Sequence, residues 1–393
     1  MLYMNYVMDT YQELHTAKEG FCKAVKRLAE ATEYIQVRNG LDITLLSVCP
    51  RADLQKDHVT TFYVLSRKSL QEFEETSFLS CGYVRDDVLG SKQLIDEMKE
   101  TTQLCAIIGD QKLLISQLAI GQIGRVAGAT GDYTLNNPSL VRNMELAEAL
   151  AVTAKPINLI VRRYGDAAKI FGARLGFDIP TKQDIFVDIL KMLGKNKDPS
   201  FDHGIVGTEA TEMFLRVNGA DVGNLNGYIS VKTSDIGKAS FTVRSLLQVS
   251  DHPDEYAYVE ERTHKHVREI PAEEIISDIR ELAEDLRLKS KEMQARISVT
   301  LPPEEYLEKL RDVLKETKPY LGKKRTVDLL QQVLSYKDLR ERTRTAQGRA
   351  TLESEQLTYD RLFGEIISLT AVKSDATSEM YTKKVVGRML LAV

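Results

Sequence analysis

His264 and His266 stand two residues apart, with Glu260, Glu261 and His252 close by in the chain. On an extended strand that spacing puts both imidazoles on one side, and nitrogen with oxygen donors suits a divalent metal. No third ligand is fixed by spacing, so this polar segment reads as a solvent-exposed linker and no metal is expected. Ser234 and Asp235, in a turn, and Asp221, before Val222-Gly223, are the acid–base candidates. A carboxyl group doing such work needs a pocket that raises its pKa, and the sequence supplies none. No GxSxG, HExxH or P-loop pattern occurs. Gly121, Gly124, Gly128 and Gly131 invite a phosphate-loop reading, but their spacing fits neither GxxxxGK[ST] nor GxGxxG. They read as a helix with small packing faces that runs into a loop. No catalytic residue and no cofactor is therefore assigned.

Basic residues cluster twice. Lys323, Lys324, Arg325, Lys337, Arg340, Arg342, Arg344 and Arg349 face three acids, a net charge of +5 over 27 residues. Such cations neutralise phosphates and release counterions, and Tyr320 and Tyr336 stand close enough to stack on bases. The competing reading is a solvated helix face, balanced by the acidic block from Asp251 to Asp285 with its twelve acids and four Lys/Arg. The second set is Arg162, Arg163 and Lys169, with Arg174 just beyond. Adjacent arginines in a strand point to opposite faces, so at most one of the pair shares a face with Lys169.

The surrounding composition is that of a soluble, core-forming chain: 393 residues, 43% apolar, 28% charged, net charge −4. That charge gives no overall nucleic-acid footprint. Cys22, Cys49, Cys81 and Cys105 form no CxxC pair and sit in or beside apolar runs, which predicts reduced, buried thiols. No apolar run approaches the ~20 residues that span a bilayer, and no basic segment precedes an apolar one at the N-terminus. A cytoplasmic location is expected.

The positioning elements follow from periodicity. Residues 9–35 read as one amphipathic helix. Strand-like runs follow at 43–49, 60–66, 104–108 and 113–120, then a helix at 139–151. Ile157, Leu159 and Val161 lead through Arg162-Arg163-Tyr164-Gly165, read as a turn, to a second run at 168–173. A helix starts after Thr181, with Ile185, Phe186, Ile189, Leu190 and Leu193 on one side. Strands are expected at 212–217, 228–232 and 239–249. From Pro271 onward helical patterns dominate.

Three segments resemble a phage- and plasmid-borne family of unknown function that includes the prophage YafZ/YfjQ-type proteins. They are Ile160-Val-Arg-Arg-Tyr-Gly with Lys169-Ile-Phe-Gly-Ala-Arg-Leu; Asp178-Ile-Pro-Thr-Lys-Gln-Asp-Ile; and Phe214-Leu-Arg-Val-Asn with Thr233-Ser-Asp-Ile-Gly. Together they cover about a quarter of the chain. The family's cysteine-asparagine-glycine motif is replaced by Gln248-Val-Ser-Asp-His. The resemblance implies a gene carried on mobile DNA and a role in DNA metabolism, and it transfers no catalytic residue.

The expected architecture is α+β. It has a mixed α/β-sheet region over 1–250 (divided near 130–155), a linker over 251–270 and an all-α region over 271–393. The leading function is nucleic-acid binding without catalysis, as an oligomer on single-stranded DNA in the cytoplasm of a bacterial host. Arg162, Arg163, Lys169 and the 323–344 cations would be the contacts. The alternatives are a structural or host-interaction protein assembling through its C-terminal helices, and a divergent enzyme around Ser234 and Asp235. No membrane partner is expected.

Overall fold

A computed structural model describes residues 9, 11–50, 60–64, 92, 103–131, 139–164, 167–176, 182–194, 198–237, 239–250, 252–264, 270–321, 335–371 and 376–392. The elements begin with β1 (Gln12–His15), α1 (Lys18–Ala31), β2 (Thr32–Val37), β3 (Thr44–Pro50), β4 (Thr60–Val64), β5 (Gln103–Ile108) and β6 (Gln111–Ile115). They continue with α2 (Gln117–Ala127), α3 (Ser139–Ala151), β7 (Ile157–Tyr164), β8 (Ala167–Leu175) and α4 (Ile185–Leu193). Next come β9 (Ser200–Gly207), β10 (Thr211–Arg216), β11 (Leu225–Thr233), β12 (Phe241–Val249) and β13 (His252–His264). The helices α5 (Ala272–Arg296), α6 (Pro303–Leu321), α7 (Tyr336–Arg342), α8 (Ala346–Ser354), α9 (Tyr359–Ser368) and α10 (Ala376–Ala392) complete the chain.

The strands build two sheets. Sheet one, β1-β9-β10-β11-β12-β13, is antiparallel throughout. Sheet two, β2-β7-β8-β6-β5-β3-β4, is antiparallel except for the β6–β8 pair. The mixed α+β class holds, and the described elements beyond residue 271 are all helices.

Alternation along β10–β13 splits sheet one into an inner and an outer face. Met213, Leu215, Ile229, Val231, Val243 and Leu247 enter one core with Ile275, Ile279, Leu282 and Leu286 of α5. That core runs from Phe21 to Leu390, so the C-terminal helices are part of sheet one's packing. Every residue of β12 is buried, because its outer face is covered too. Phe214, Tyr228, Leu246 and Tyr258 form a small cluster there.

Helix α10 lies along the edge strand β13. Val386 and Leu390 reach the inner core, while Met380 touches the outer cluster. The apolar faces of the last helices thus close the chain's own core, with Leu362, Ile366, Leu369 and Leu390 buried within it. Helix and strand meet at Gly387, where a Cβ would lie 1.8 Å from the Tyr258 carbonyl oxygen.

Several elements differ from the sequence reading, each through tertiary pairing. Residues 9–35 are not one helix: Gln12–His15 pairs with β9 and Thr32–Val37 with β7, leaving 18–31 helical. β7 continues to Tyr164, so Arg162-Arg163 lie in a strand and not a turn. The expected linker contains a 13-residue strand, β13, paired to β12 through two bulges. Ser200–Gly207, given no element from sequence, is β9. The glycine-rich stretch, by contrast, is a helix running into a loop as expected: α2 is capped by the Ser116 side chain and closed by left-handed Gly128 at φ 74°. Cys105 is buried and in no disulfide, and burial pushes the half-buried Cys22 thiol up; the Cys49 side chain and Cys81 lie outside the described residues.

Candidate functional site

Arg162 does not face solvent. Its guanidinium is 0% exposed and donates through Nη2 to Asp235 Oδ1 at 2.9 Å, a carboxylate itself 1% exposed. The same oxygen accepts Gln183 Nε2 at 3.2 Å, and Thr32 Oγ1 reaches Oδ2 at 3.4 Å. The Phe171 ring lies 4.9 Å beneath the guanidinium carbon. Burial first, and then the Asp235 charge, push the Tyr34 phenol up. The Asp235 turn is held from the other side by Gln122 of α2, which donates to the Ile236 carbonyl and accepts the Ala173 N–H at 2.9 Å. These contacts join sheet two to the β11–β12 turn of sheet one. Three separate segments of the chain thus supply Arg162, Gln183 and Asp235 to this single network.

A phosphate-contacting role for Arg162 is thereby excluded: its charge is committed to a buried carboxylate. Arg163 pairs with Glu33 at 2.6 Å and also reaches Gln111. Lys169 pairs with Asp9 at 2.6 Å. The hairpin thus offers no unpaired set of cations. Asp235 is not among the residues lining the two described cavities.

Of the C-terminal cations, Lys323, Lys324 and Arg325 lie outside the described residues. Arg342 is bound by Glu355 and Asp338. Lys337, Arg340 and Arg344 are exposed and form no ion pair among the described residues. Tyr320 is not open for base stacking, because its ring stacks on Tyr381 at 5.2 Å. Tyr336 packs against the main core. The acidic block is occupied elsewhere: Asp278 and Glu281 hold Arg262, and Glu260 and Asp285 hold Lys289. No described ion pair links it to 335–349. His264 bridges Asp278 (2.6 Å) and Glu274 (3.1 Å), and no cluster of metal-ligating type is found among the described residues.

The concave feature that sequence reasoning missed lies on the outer face of sheet one. A cleft of about 860 Å³ opens between β1, the β10–β13 floor and α10. Strand register sets its rows. Glu212, Lys232, Thr242 and Thr263 lie side by side across four strands, and Ser230, Arg244 and Glu261 form the next row. Lys232 pairs with Glu212 at 3.2 Å, and the Ser230 hydroxyl also donates to Glu212. Glu261 accepts Arg244 Nε at 2.5 Å and Lys384 of α10 at 2.9 Å. Lys383 pairs with Glu379 at 2.7 Å and sits 3.6 Å from the Tyr256 ring centre.

Burial works against the Arg244 charge, but Tyr258 and Glu261 outweigh it and raise its pKa. Burial also opposes the Glu261 charge; hydrogen bonds from Lys384 and Arg244 outweigh it and hold that carboxyl below the ordinary range. A depressed carboxyl stabilises the fold above its unfolded pKa, and this contribution is lost as pH falls through the folded value. Burial, then the Glu212 charge, push Tyr256 up to about 12. Tyr256 and Tyr258 are thus neutral hydrogen-bonding phenols at physiological pH. The signal for this site was available as the polar alternation 242-244 and 256-258-261-263, but it became readable only once β13 was known to be a strand. No known protein family, curated protein or solved structure matches the chain.

Proposed function

We propose that this protein is a ligand-binding protein whose site is the cleft between the outer face of sheet one and α10. One observation carries the reading. The cleft of about 860 Å³ is floored by charged, hydroxyl and phenol groups that the sheet register fixes in rows, and pockets with a few convergent polar groups are the usual sites of small-molecule binding. The test is thermal unfolding against a panel of small carboxylates, phosphate esters, amines and neutral sugars. A ligand bound only by the folded state, at 100 times its dissociation constant, adds about 2.7 kcal/mol of stability. At least one class is expected to stabilise the wild type and not Thr263→Trp, which fills the exposed floor with an aromatic that a strand tolerates. Stabilisation that survives Thr263→Trp would place the ligand elsewhere.

A second reading, nucleic-acid binding, is favoured by a separate observation. Lys337, Arg340 and Arg344 are exposed and without carboxylate partners among the described residues. Lys337 and Arg340, three residues apart in α7, lie on neighbouring helical positions opposite buried Leu339. The resemblance to a mobile-element family is in keeping with this reading. Contacts would be to the phosphate backbone, with binding that weakens steeply as salt rises. Fluorescence anisotropy with a short single-stranded DNA is expected to lose binding in Lys337→Glu/Arg340→Glu/Arg344→Glu. Unchanged affinity in that variant would reject the surface.

A further inference from the structure

We infer that the ligand of the cleft is a small organic oxyanion, held by Arg244 and Lys384 with the Thr242 hydroxyl as a neutral donor. This rests on the cleft being a binding site and adds the chemistry of what it takes. The first argument is charge. Arg244 and Lys384 share one carboxylate, Glu261, whereas Lys232 and Lys383 each have their own in Glu212 and Glu379. The Arg244–Lys384–Glu261 group is thus the one place among the described ion pairs of the cleft where two cations share a single carboxylate. Of the other acids on the lining, Asp9 pairs with Lys169, and Glu209 is exposed and in no described ion pair. Low-dielectric surroundings make an excess charge near a buried guanidinium costly unless an anion meets it.

The second argument is a hydroxyl. Thr242 is 5% exposed and lines the cleft, and its Oγ1 is buried without a hydrogen-bond partner. A buried hydroxyl with no partner costs free energy that a ligand oxygen would recover. Thr242 stands directly between Lys232 and Thr263 in the register and one row from Arg244. A guanidinium, an ammonium and a hydroxyl donor on the lining of one cleft match the acceptor-only oxygens of a carboxylate or a phosphate monoester.

The probes are inorganic phosphate and acetate, titrated by calorimetry into the full chain at constant ionic strength, with glycerol and methylammonium as neutral and cationic controls. At least one anion is expected to bind, and which one binds identifies phosphate-type or carboxylate-type chemistry. Thr242→Val should weaken it about fivefold, the worth of about 1 kcal/mol for one hydrogen bond. Lys384→Met should weaken it about tenfold or more, as expected for a charge-assisted contact. Lys384 also helps seat α10, so Thr242→Val, confined to the floor, gives the reading that a docking defect cannot mimic. Binding unaffected by both changes overturns the assignment. So does a panel compound that is neutral or cationic and sensitive to Thr263→Trp while both anions fail, an outcome that leaves the cleft a binding site. If no panel compound and neither anion binds, the two readings fall together.

Discussion

Arg162→Leu is expected to cost about 3–5 kcal/mol, because it leaves Asp235 charged, buried and without its cation. The measurement is the urea midpoint of the variant and of Arg162→Leu/Asp235→Leu. A buried ion pair is weak evidence of net stabilisation, since desolvating both charges offsets much of their attraction. The double variant removes both charges and should therefore recover most of the loss. Two guanidinium nitrogens of Arg162, Nε and Nη1, and Gln183 Oε1 have no hydrogen-bond partner, which adds to the cost of keeping this network and to the recovery. A single-variant loss under 1 kcal/mol would mean that the Asp235 turn and sheet two are not locked together as the contacts imply. Loss in the double variant equal to that of the single one would assign the effect to packing on Phe171 and not to the charge.

Gly387→Ala is expected to destabilise by about 2–3 kcal/mol, the range for overpacking a tight contact. The sign is the informative part. Replacing a glycine inside a helix by alanine ordinarily gains up to about 1 kcal/mol. At Gly387 the added methyl meets the Tyr258 carbonyl oxygen at 1.8 Å, a backbone atom that cannot step aside. Gly364, inside α9, has nothing within 4 Å of its would-be Cβ and serves as the control that should gain. Because α10 forms one wall of the cleft, Gly387→Ala should also lose ligand-induced stabilisation, whereas Gly364→Ala should keep it. Equal effects at the two positions would show that α10 is not seated on β13.

What the sequence made legible was local. The β5–β6 hairpin, α3, the β7–β8 pair, α4 and the C-terminal helices follow from periodicity, turn glycines and caps, and the α+β class follows from their order, although the strand expected at 113–120 ends at Ile115 and gives way to α2 at Gln117. The errors arose where a long-range partner decided the outcome. Gln12–His15 and Thr32–Val37 flank a real amphipathic helix, and only β9 and β7 turn them into strands. β13 carries so many charges that it reads as solvent-exposed, yet those charges are paired to α5, β12 and α10 across its two faces.

The same physics governs the site. A run of basic residues looks the same whether its charges are free, as at Lys337 and Arg340, or spent inside the fold, as at Arg162. The cleft needed six strands in register and a helix whose Lys384 lies 123 residues beyond Glu261, so no spacing rule could announce it. The last helix was weighed as an assembly surface; with Val386 and Leu390 in the main core, its deletion is expected to unfold sheet one's packing and not merely to dissociate subunits.

The most direct measurement of the central claim is hydrogen exchange of the full chain with and without the panel compound that stabilises it most. The account predicts slowed exchange in β11–β13 and in α10 together, since both walls close on one ligand. Slowing confined to the β7–β8 hairpin or to α7 and α8, with β12, β13 and α10 unchanged, would contradict it.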